Sequence, residues 1–242
     1  MRKLIKKVIR YILTPFILMD YWRFKILNKH SRFKLSLRDS YPCVSDNTVK
    51  TGFDRHYVYH TAWAARKLAE TNPAFHTDIS SSLYFSGIVS AFIPVKFYDY
   101  RPAELVLSNL TSEQADLSNL PFKDLSVNSL SCMHVVEHVG LGRYGDKIDP
   151  DADLNAMVEL SRVLATGGNL FFVVPVGQPR IEYNAHRIYS YEQVISYFPK
   201  LSLKEFTLIP ENNGSMISYA SKEQADKERY GCGCFWFVKP TN

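Results

Sequence analysis

Cysteine is scarce in this chain: its 242 residues include only Cys43, Cys132, Cys232 and Cys234. Four cysteines in a chain of this length do not make the disulfide framework of a small secreted domain, so no oxidising compartment is required. Cys232 and Cys234 point to one face if they lie on a strand. With no His or Cys nearby in the sequence they fall short of the usual four-ligand zinc set. We therefore expect buried free thiols and no metal site.

Several motifs that would assign a chemistry are also missing. The chain has no Gly-x-Gly-x-x-Gly fingerprint, which disfavours a nicotinamide-dependent oxidoreductase. It has no phosphate-binding loop with its Lys-Ser/Thr pair and no nucleophile elbow. Low-complexity segments and internal repeats are absent, and 46% hydrophobic with 22% charged residues is a globular composition.

Acidic residues are almost absent from residues 1–38, where 11 Lys or Arg accompany a single acidic residue, Asp20. Residues 39–242 hold 18 basic and 23 acidic residues, a net charge of −5. The sequence thus divides into a basic arm, residues 1–38, and a mildly acidic domain, residues 39–242. An acidic domain argues against a nucleic-acid-binding face, so no nucleic-acid partner is expected.

The basic arm has no run of about 20 apolar residues, so it is not predicted to span a membrane. No small-x-small cleavage site follows the apolar stretch Tyr11–Met19, as a signal peptide requires. Pro15 is expected to kink or restart the helix. A helical projection separates basic residues from one apolar half, which comprises Leu4, Ile5, Val8, Ile9, Ile12 and Phe16.

Two interpretations of this amphipathic helix stay open. Residues 1–30 could lie on an anionic membrane surface, or the helix could dock its apolar face on the protein's own domain. The first interpretation predicts a cytoplasmic protein peripheral to the inner face of the membrane.

Beyond the arm, apolar segments alternate between strand-like and helical patterns. A polar stretch, Asp39–Gly52, is typical of a linker. The Ala-rich segment Arg55–Thr71 predicts a helix closed by Pro73. The run LFFVVPV suits a strand that is covered on both faces. Other predicted elements are the strands Phe75–Ser80, Lys96–Tyr100, Ser129–Val136 and Leu170–Val176, a helix Leu154–Leu164 with Gly167-Gly168 as its C-cap, and two late strands, LSLKEFTLI and CFWFVKP. The alternation predicts a doubly wound α/β sheet.

Three features occur in the order of a nucleoside-binding α/β domain. The first strand runs from His76 into a turn of small residues, Ser80–Ser82, which lets a ligand approach the backbone. Asp99 ends the next strand about 20 residues later, the spacing of a ribose-binding acid. Asp116 and Leu117 then form an acidic turn that could receive an adenine amino group.

The segment 131–198 resembles class I S-adenosylmethionine-dependent methyltransferases. The resemblance is carried by Val135-Val136-Glu137-His138-Val139 and by Glu159-Leu160-Ser161-Arg162-Val163-Leu164, followed by Gly167-Gly168 and a strand ending in Pro175. The blocks CMHVVEHVGLGRYGD, LFFVVPVG and NAHRIYSYEQV are closely similar to a family of uncharacterised proteins, DUF268, over about residues 50–240. The resemblance implies a Rossmann-like seven-stranded sheet whose last strand, Cys234–Lys239, is antiparallel.

The same resemblance implies S-adenosyl-L-methionine as the cofactor. Carried over to this chain, Asp78, Ser80 and Ser82 face the methionine part of the cofactor, Asp99 holds the ribose, Asp116 and Leu117 flank the adenine, and Glu137 lies beside the sulfonium. Methyltransferases of this class usually have glycine at the positions of Ser80 and Ser82, and glycine tolerates a positive φ and close approach better than serine. The alternative is therefore a catalytically inactive binding or scaffold protein on the same fold.

Candidates for the chemistry cluster after the fourth and fifth predicted strands. His138 is the predicted general base and His186 a second one, because histidine titrates near neutrality. Arg143, Tyr144, Asn184 and Arg187 are predicted to bind the acceptor, since an Arg fork suits a carboxylate or phosphate. These residues also have structural interpretations. Glu137 and His138 could cap the turn after the fourth strand, and the glycines of the loop 140–146 could simply shape turns. The group that includes Arg187 could form a salt bridge or stack. The acceptor is predicted to be a hydroxyl on a small molecule or a sugar intermediate, and the resemblance to DUF268 proteins implies a place in surface-polysaccharide metabolism.

Overall fold

The computed structural model describes residues 2–30, 32–43, 46–212 and 214–241, with side chains from Pro15 onward. The chain forms two compact units, residues 1–53 and 54–242. In the first unit, helix α1 (Arg2–Leu27) continues through Pro15, and a short 3-10 turn covers Leu37–Asp39. Within the described residues, no helix combines the length and the apolar character that crossing a bilayer needs.

The second unit is a three-layer α/β domain. Its helices are α2 (Arg55–Thr71), α3 (Leu83–Val89), α4 (Ala152–Val163), α5 (Tyr191–Tyr197) and α6 (Lys222–Asp226). Its strands are β1 (His76–Ile79), β2 (Val95–Asp99), β3 (Leu110–Gln114), β4 (Val127–Met133), β5 (Leu164–Val176), β6 (Arg180–Glu182), β7 (His186–Ile188), β8 (Ser202–Ile209), β9 (Ile217–Ser218) and β10 (Gly231–Val238).

The main sheet has the strand order β3-β2-β1-β4-β5-β10-β8-β9. Strands β3, β2, β1, β4 and β5 pair in parallel, while β10 is antiparallel to both β5 and β8. This confirms the doubly wound sheet with its antiparallel last strand. The eighth strand is the two-residue β9, which extends the edge of β8. A separate hairpin, β6–β7, follows β5.

Both faces of the sheet are covered, as the LFFVVPV run predicts. Phe171 and Val173 belong to one apolar cluster, together with Trp63 of α2. Phe172 and Val174 belong to the other, with helices α4 and α5. Successive strand residues face opposite sides, so a strand buried on both sides must be apolar at every position.

Two predictions about local structure are wrong. Helix α4 ends at Val163 and its C-cap is the extended residue Leu164, so Gly167 and Gly168 lie inside β5 rather than capping the helix. A Cβ on Gly168 would lie 3.1 Å from the carbonyl oxygen of Val127, where the β4–β5 register shifts. The strict strand–helix alternation also fails, because residues 100–109 and 115–126 contain no helix.

A buried carboxyl group lies beneath the turn that follows β1. Asp78 is fully buried, and its two oxygens accept hydrogen bonds from Ser131 Oγ and Ser86 Oγ, each 2.5 Å away. Burial raises the pKa of Asp78 to about 6, although the serine hydroxyls lower it in part. The folded protein therefore holds a proton on this group more tightly than the unfolded chain does.

We expect Asp78→Asn to remove a pH dependence of stability. Because the pKa of Asp78 is higher in the folded protein than in the unfolded chain, protonation of this carboxyl stabilises the fold. This stabilisation is complete below the unfolded pKa near 4 and is lost as the pH rises to about 6. A shift of about two units corresponds to ~3 kcal/mol. Urea unfolding between pH 4 and 7 should show the stability of Asp78→Asn, relative to the unsubstituted protein, rising by about that amount. A constant difference across this range contradicts the assignment.

Candidate functional site

The carboxyl ends of the parallel strands surround a cavity of about 500 Å³, here called the first cavity. Such an edge is where open α/β sheets bind ligands. Residues from the ends of β1, β2, β3 and β4 all contribute to its wall. Among the lining residues are Tyr57, Ser80, Asp99, Arg101, Asp116, Leu117, His134, His138, Tyr144 and Asp146.

The turn after β1 has the backbone shape that glycine would allow. Ser80 has φ +55°, in the left-handed region, and its backbone N–H donates to the carbonyl of Tyr98 at 2.7 Å. A non-glycine residue bears a steric cost there, so the surrounding pairing imposes this conformation. Ser82 has φ −66° as the N-cap of α3 and lies in a separate groove outside the first cavity.

The three acidic positions of the predicted nucleoside site have different surroundings. Asp99 and Asp116 line the cavity, and each accepts a backbone N–H two residues ahead, Arg101 and Ser118, at 2.8 Å. The second oxygen of each carboxylate has no donor among the described residues. Asp78 departs from its predicted place: it is buried under the turn and does not reach the cavity.

Glu137, the residue predicted to lie beside the sulfonium, is buried just after the carboxyl end of β4 and is not part of the first cavity's lining. It lies in the 3-10 turn Val136–His138, is 1% exposed, and accepts a hydrogen bond from Nδ1 of His134 at 2.7 Å. Burial opposes its charge, but His134 and the neighbouring His138 hold its pKa below the usual range. Its other oxygen, Oε2, is buried without a partner in the described part of the chain.

His138 lies between the first cavity and a second one of about 480 Å³. Its Nδ1 lies 2.6 Å from the carbonyl oxygen of Ala185, so Nδ1 carries the proton and donates it in this bond. Nε2, which lies 3.8 Å from Oε1 of Glu137, is then the nitrogen that can accept a proton. A general base requires such a nitrogen.

The second cavity is rich in histidine and tyrosine. Its lining includes Arg55, His56, Tyr57, His134, Glu137, His138, Arg143, Tyr144, His186 and Tyr230. His186 packs against Tyr230 with ring centroids 4.9 Å apart, and burial lowers its pKa, which favours the neutral ring. Arg143 donates to the carbonyl of Ala185 at 3.0 Å and lies over the ring of Tyr144.

Two predicted acceptor-binding residues are not in either cavity. Arg187 is buried, and its guanidinium donates to the carbonyls of Val139 at 2.6 Å and Pro150 at 3.1 Å. Arg187 also forms a salt bridge with Asp153, Nε to Oδ1 3.5 Å, as the structural interpretation predicts, and its hydrogen bonds hold the loop that follows β4. Asn184 is exposed, with φ +61°, in the turn of the β6–β7 hairpin.

Sequence reasoning missed the aromatic and histidine side chains that α2 brings to this edge. Tyr57 lines both cavities, and His56 and His60 pack their rings near His134. The sequence does indicate that His56 and His60 lie together, because residues four apart share one face of a helix. An amphipathic Ala-rich helix predicts burial, but not which strand end its polar residues meet.

The comparisons with known proteins agree with this fold. Residues 121–199 match the model of the family DUF268, described as Caenorhabditis protein of unknown function. No curated protein matches the chain in sequence.

Solved structures of methyltransferases are similar in fold. The N-methyltransferase NodS from Bradyrhizobium japonicum, in complex with S-adenosyl-L-homocysteine, has a TM-score of 0.52 and 13% identity, covering 76% of this chain and 88% of NodS. A Burkholderia thailandensis 1,6-didemethyltoxoflavin-N1-methyltransferase with bound S-adenosylhomocysteine has a TM-score of 0.52 and 11% identity. The match covers 76% of this chain and 79% of the methyltransferase chain.

A cyclase, SpnF, has a TM-score of 0.50 and 12% identity, covering 74% of this chain and 81% of SpnF. The fold is therefore shared with proteins of more than one named activity. Over residues 121–199 the chain matches DUF268, and its domain has the Rossmann-like fold of S-adenosylmethionine-dependent methyltransferases.

Proposed function

We propose that the domain binds S-adenosyl-L-methionine in the first cavity and transfers its methyl group to a small acceptor in the second. The observation that carries this proposal is the convergence of Ser80, Asp99, Asp116 and Leu117 on one cavity at the carboxyl edge of the sheet. Asp99 supplies a carboxylate oxygen for the ribose hydroxyls, while Asp116 and the apolar Leu117 suit the amino group and ring face of adenine.

The turn after β1 supports cofactor binding despite its serines. The concern with serine is that it resists the positive φ that a glycine turn uses. Ser80 adopts that φ here, and its side chain is bonded to the carbonyl of Tyr98 at 3.2 Å. The backbone is thus shaped for close approach even without glycine.

The second cavity supports an acceptor that must lose a proton. Methyl transfer is an in-line displacement, so the protein must align the acceptor atom with the methyl group and deprotonate it. His138 borders both cavities and presents Nε2 as the base, with Arg143 and Tyr144 beside it. A hydroxyl on a small molecule or a sugar intermediate, in surface-polysaccharide metabolism, is the acceptor class we propose from the resemblance. His186 is the second candidate for the base.

Cofactor binding is tested by calorimetry with S-adenosylmethionine and S-adenosylhomocysteine. Asp99→Asn keeps an acceptor for the Arg101 N–H but removes the charge, and a hydrogen bond to a charged group contributes about 1.5–3 kcal/mol. We expect affinity to fall by about 10- to 100-fold. Glu113→Gln, on β3 outside the cavity lining, should bind normally. No heat with either ligand in the unsubstituted protein favours the cofactor-free scaffold instead.

The general base is tested by an assay of S-adenosylhomocysteine release against panels of small hydroxyl, amine and sugar acceptors. Removing a general base costs about 100- to 10,000-fold in rate. We expect His138→Gln to lower turnover by this much while leaving calorimetric cofactor binding intact. If His186→Gln has the larger effect and His138→Gln has none, His186 is the base.

We also propose that the arm contacts an anionic membrane surface from the cytoplasmic side. Large apolar residues after Pro15 are exposed, Phe16 at 58%, Met19 at 62% and Trp22 at 52%, and Lys25 lies 4.8 Å over the Trp22 ring. Exposed aromatic residues among basic ones are typical of interfacial helices.

Vesicle sedimentation of the full chain tests this contact. Replacing Lys3, Lys6, Lys7 and Arg10 with Glu should abolish co-sedimentation with anionic phosphatidylserine vesicles, because each basic residue contributes about 1 kcal/mol near such a surface. Neutral phosphatidylcholine vesicles serve as the control. If the unsubstituted chain does not sediment with anionic vesicles, docking of the helix on the protein itself is favoured. If the charge-reversed variant sediments as much as the unsubstituted chain, the basic residues do not make the contact.

A further inference from the structure

Three buried side chains from distant parts of the chain meet beside the second cavity. His56 comes from the first turn of α2, His134 follows the end of β4, and Cys232 lies at the start of β10. One ligand atom of each, two ring nitrogens and the sulfur, lie within 4.8 Å of one another. We propose that His56, His134 and Cys232 bind a divalent transition-metal ion of the zinc class.

The spacing of two ligand atoms fits tetrahedral coordination. Cys232 Sγ lies 3.4 Å from Nε2 of His134. With Zn–S near 2.3 Å and Zn–N near 2.0–2.1 Å, the S···N edge of a tetrahedron is ~3.6 Å. A thiolate with imidazole nitrogens is also the donor set that zinc prefers over magnesium or calcium, which take oxygen ligands.

The orientation of His134 is the one that metal-binding histidines have. Its Nδ1 donates to the buried carboxylate of Glu137 at 2.7 Å, and its Nε2 faces Cys232 Sγ and is the nitrogen available to a metal ion. A carboxylate behind the imidazole fixes the tautomer and makes the ring a better ligand. His134 also has φ +56°, a costly conformation for a residue other than glycine, and such strain concentrates at functional sites.

Unpaired polar atoms around the cluster are an independent sign of a missing charge. Nε2 of His60 and Oε2 of Glu137 are both buried without a hydrogen-bond partner in the described residues. The His60 ring lies 5.0 Å from that of His134, centroid to centroid. Buried polar atoms without a partner destabilise the folded state, and a cation beside the carboxylate offsets part of that cost.

Three protein ligands leave a fourth position open, as in catalytic zinc sites. His56 and His134 both line the second cavity, so that position is accessible to an acceptor. The role of the ion rests on the proposed methyl transfer. A hydroxyl bound to a divalent cation loses its proton more readily. The proton passes to Nε2 of His138, the acceptor oxygen bonds to the methyl carbon, and the carbon–sulfur bond breaks with its electron pair going to the sulfur.

Cobalt(II) spectroscopy on the reduced, chelator-treated full chain tests the site. The experiment uses a Cys43→Ser background, since Cys43 is the exposed cysteine. We expect one equivalent of Co²⁺ to give a thiolate-to-cobalt charge-transfer band and tetrahedral visible bands, and Zn²⁺ to displace it. Absence of the charge-transfer band in this protein overturns the proposal.

Matched variants assign the ligands. Cys232→Ala should abolish the band, whereas Cys132→Ala, which removes an equally buried thiol from the other face of the sheet, should retain it. His56→Gln provides a second ligand variant where Cys232→Ala fails to fold by circular dichroism. Glu137→Gln should keep the band but weaken Zn²⁺ affinity by about 10- to 100-fold. A band that survives in both Cys232→Ala and His56→Gln contradicts the assignment.

The outcome is separable from that of the proposed function. The cobalt titration contains no S-adenosylmethionine, and Asp99→Asn should bind Co²⁺ normally, since Asp99 lies outside the cluster. Cofactor binding without a cobalt band overturns the metal site alone. A cobalt band without cofactor binding leaves the metal site standing and overturns the methyl-transfer role.

Discussion

The parallel pairing of β1 with β2 and β4 is the constraint on which the rest of this domain depends. Its register, Asp78 opposite Phe97 and Ser131, aligns the strand ends along one edge of the sheet. Parallel strands all deliver their carboxyl ends to the same edge, and ligand sites in open α/β sheets form there. Both cavities, and the residues assigned to cofactor, base and metal, follow from that alignment.

The pairing is supported by two different kinds of burial. Apolar clusters cover both faces of the central strands, and hydrophobic burial is the dominant favourable term in folding. Beneath the site, Asp78 is bonded to Ser86 and Ser131, which links β1, α3 and β4 by polar contacts. Because these hydrogen bonds hold the end of β1 in place, they also stabilise the turn in which Ser80 adopts its positive φ.

Local patterns predicted much of the fold because the patterns and the structure obey the same periodicities. Helix α2 has the bounds that its Ala-rich pattern gives, and LFFVVPV forms the second half of β5, which begins earlier, at Leu164. The predicted Gly167-Gly168 cap was wrong because both glycines lie inside β5, where Gly168 packs closely against β4 and Gly167 adopts a positive φ of +75°. Strand β3 was missed, since it is a largely exposed edge strand without an apolar run.

The sequence by itself determined the sheet type, the strands β1, β2, β4, β5, β8 and β10, and the acidic residues Asp99 and Asp116, because these depend on short-range periodicity and spacing. Only the tertiary structure decided that Asp78 and Arg187 are buried away from the cavities and that Cys232 meets His134, 98 residues distant. Contacts between residues so far apart are set by how strands and helices pack, and no spacing rule along the chain describes them.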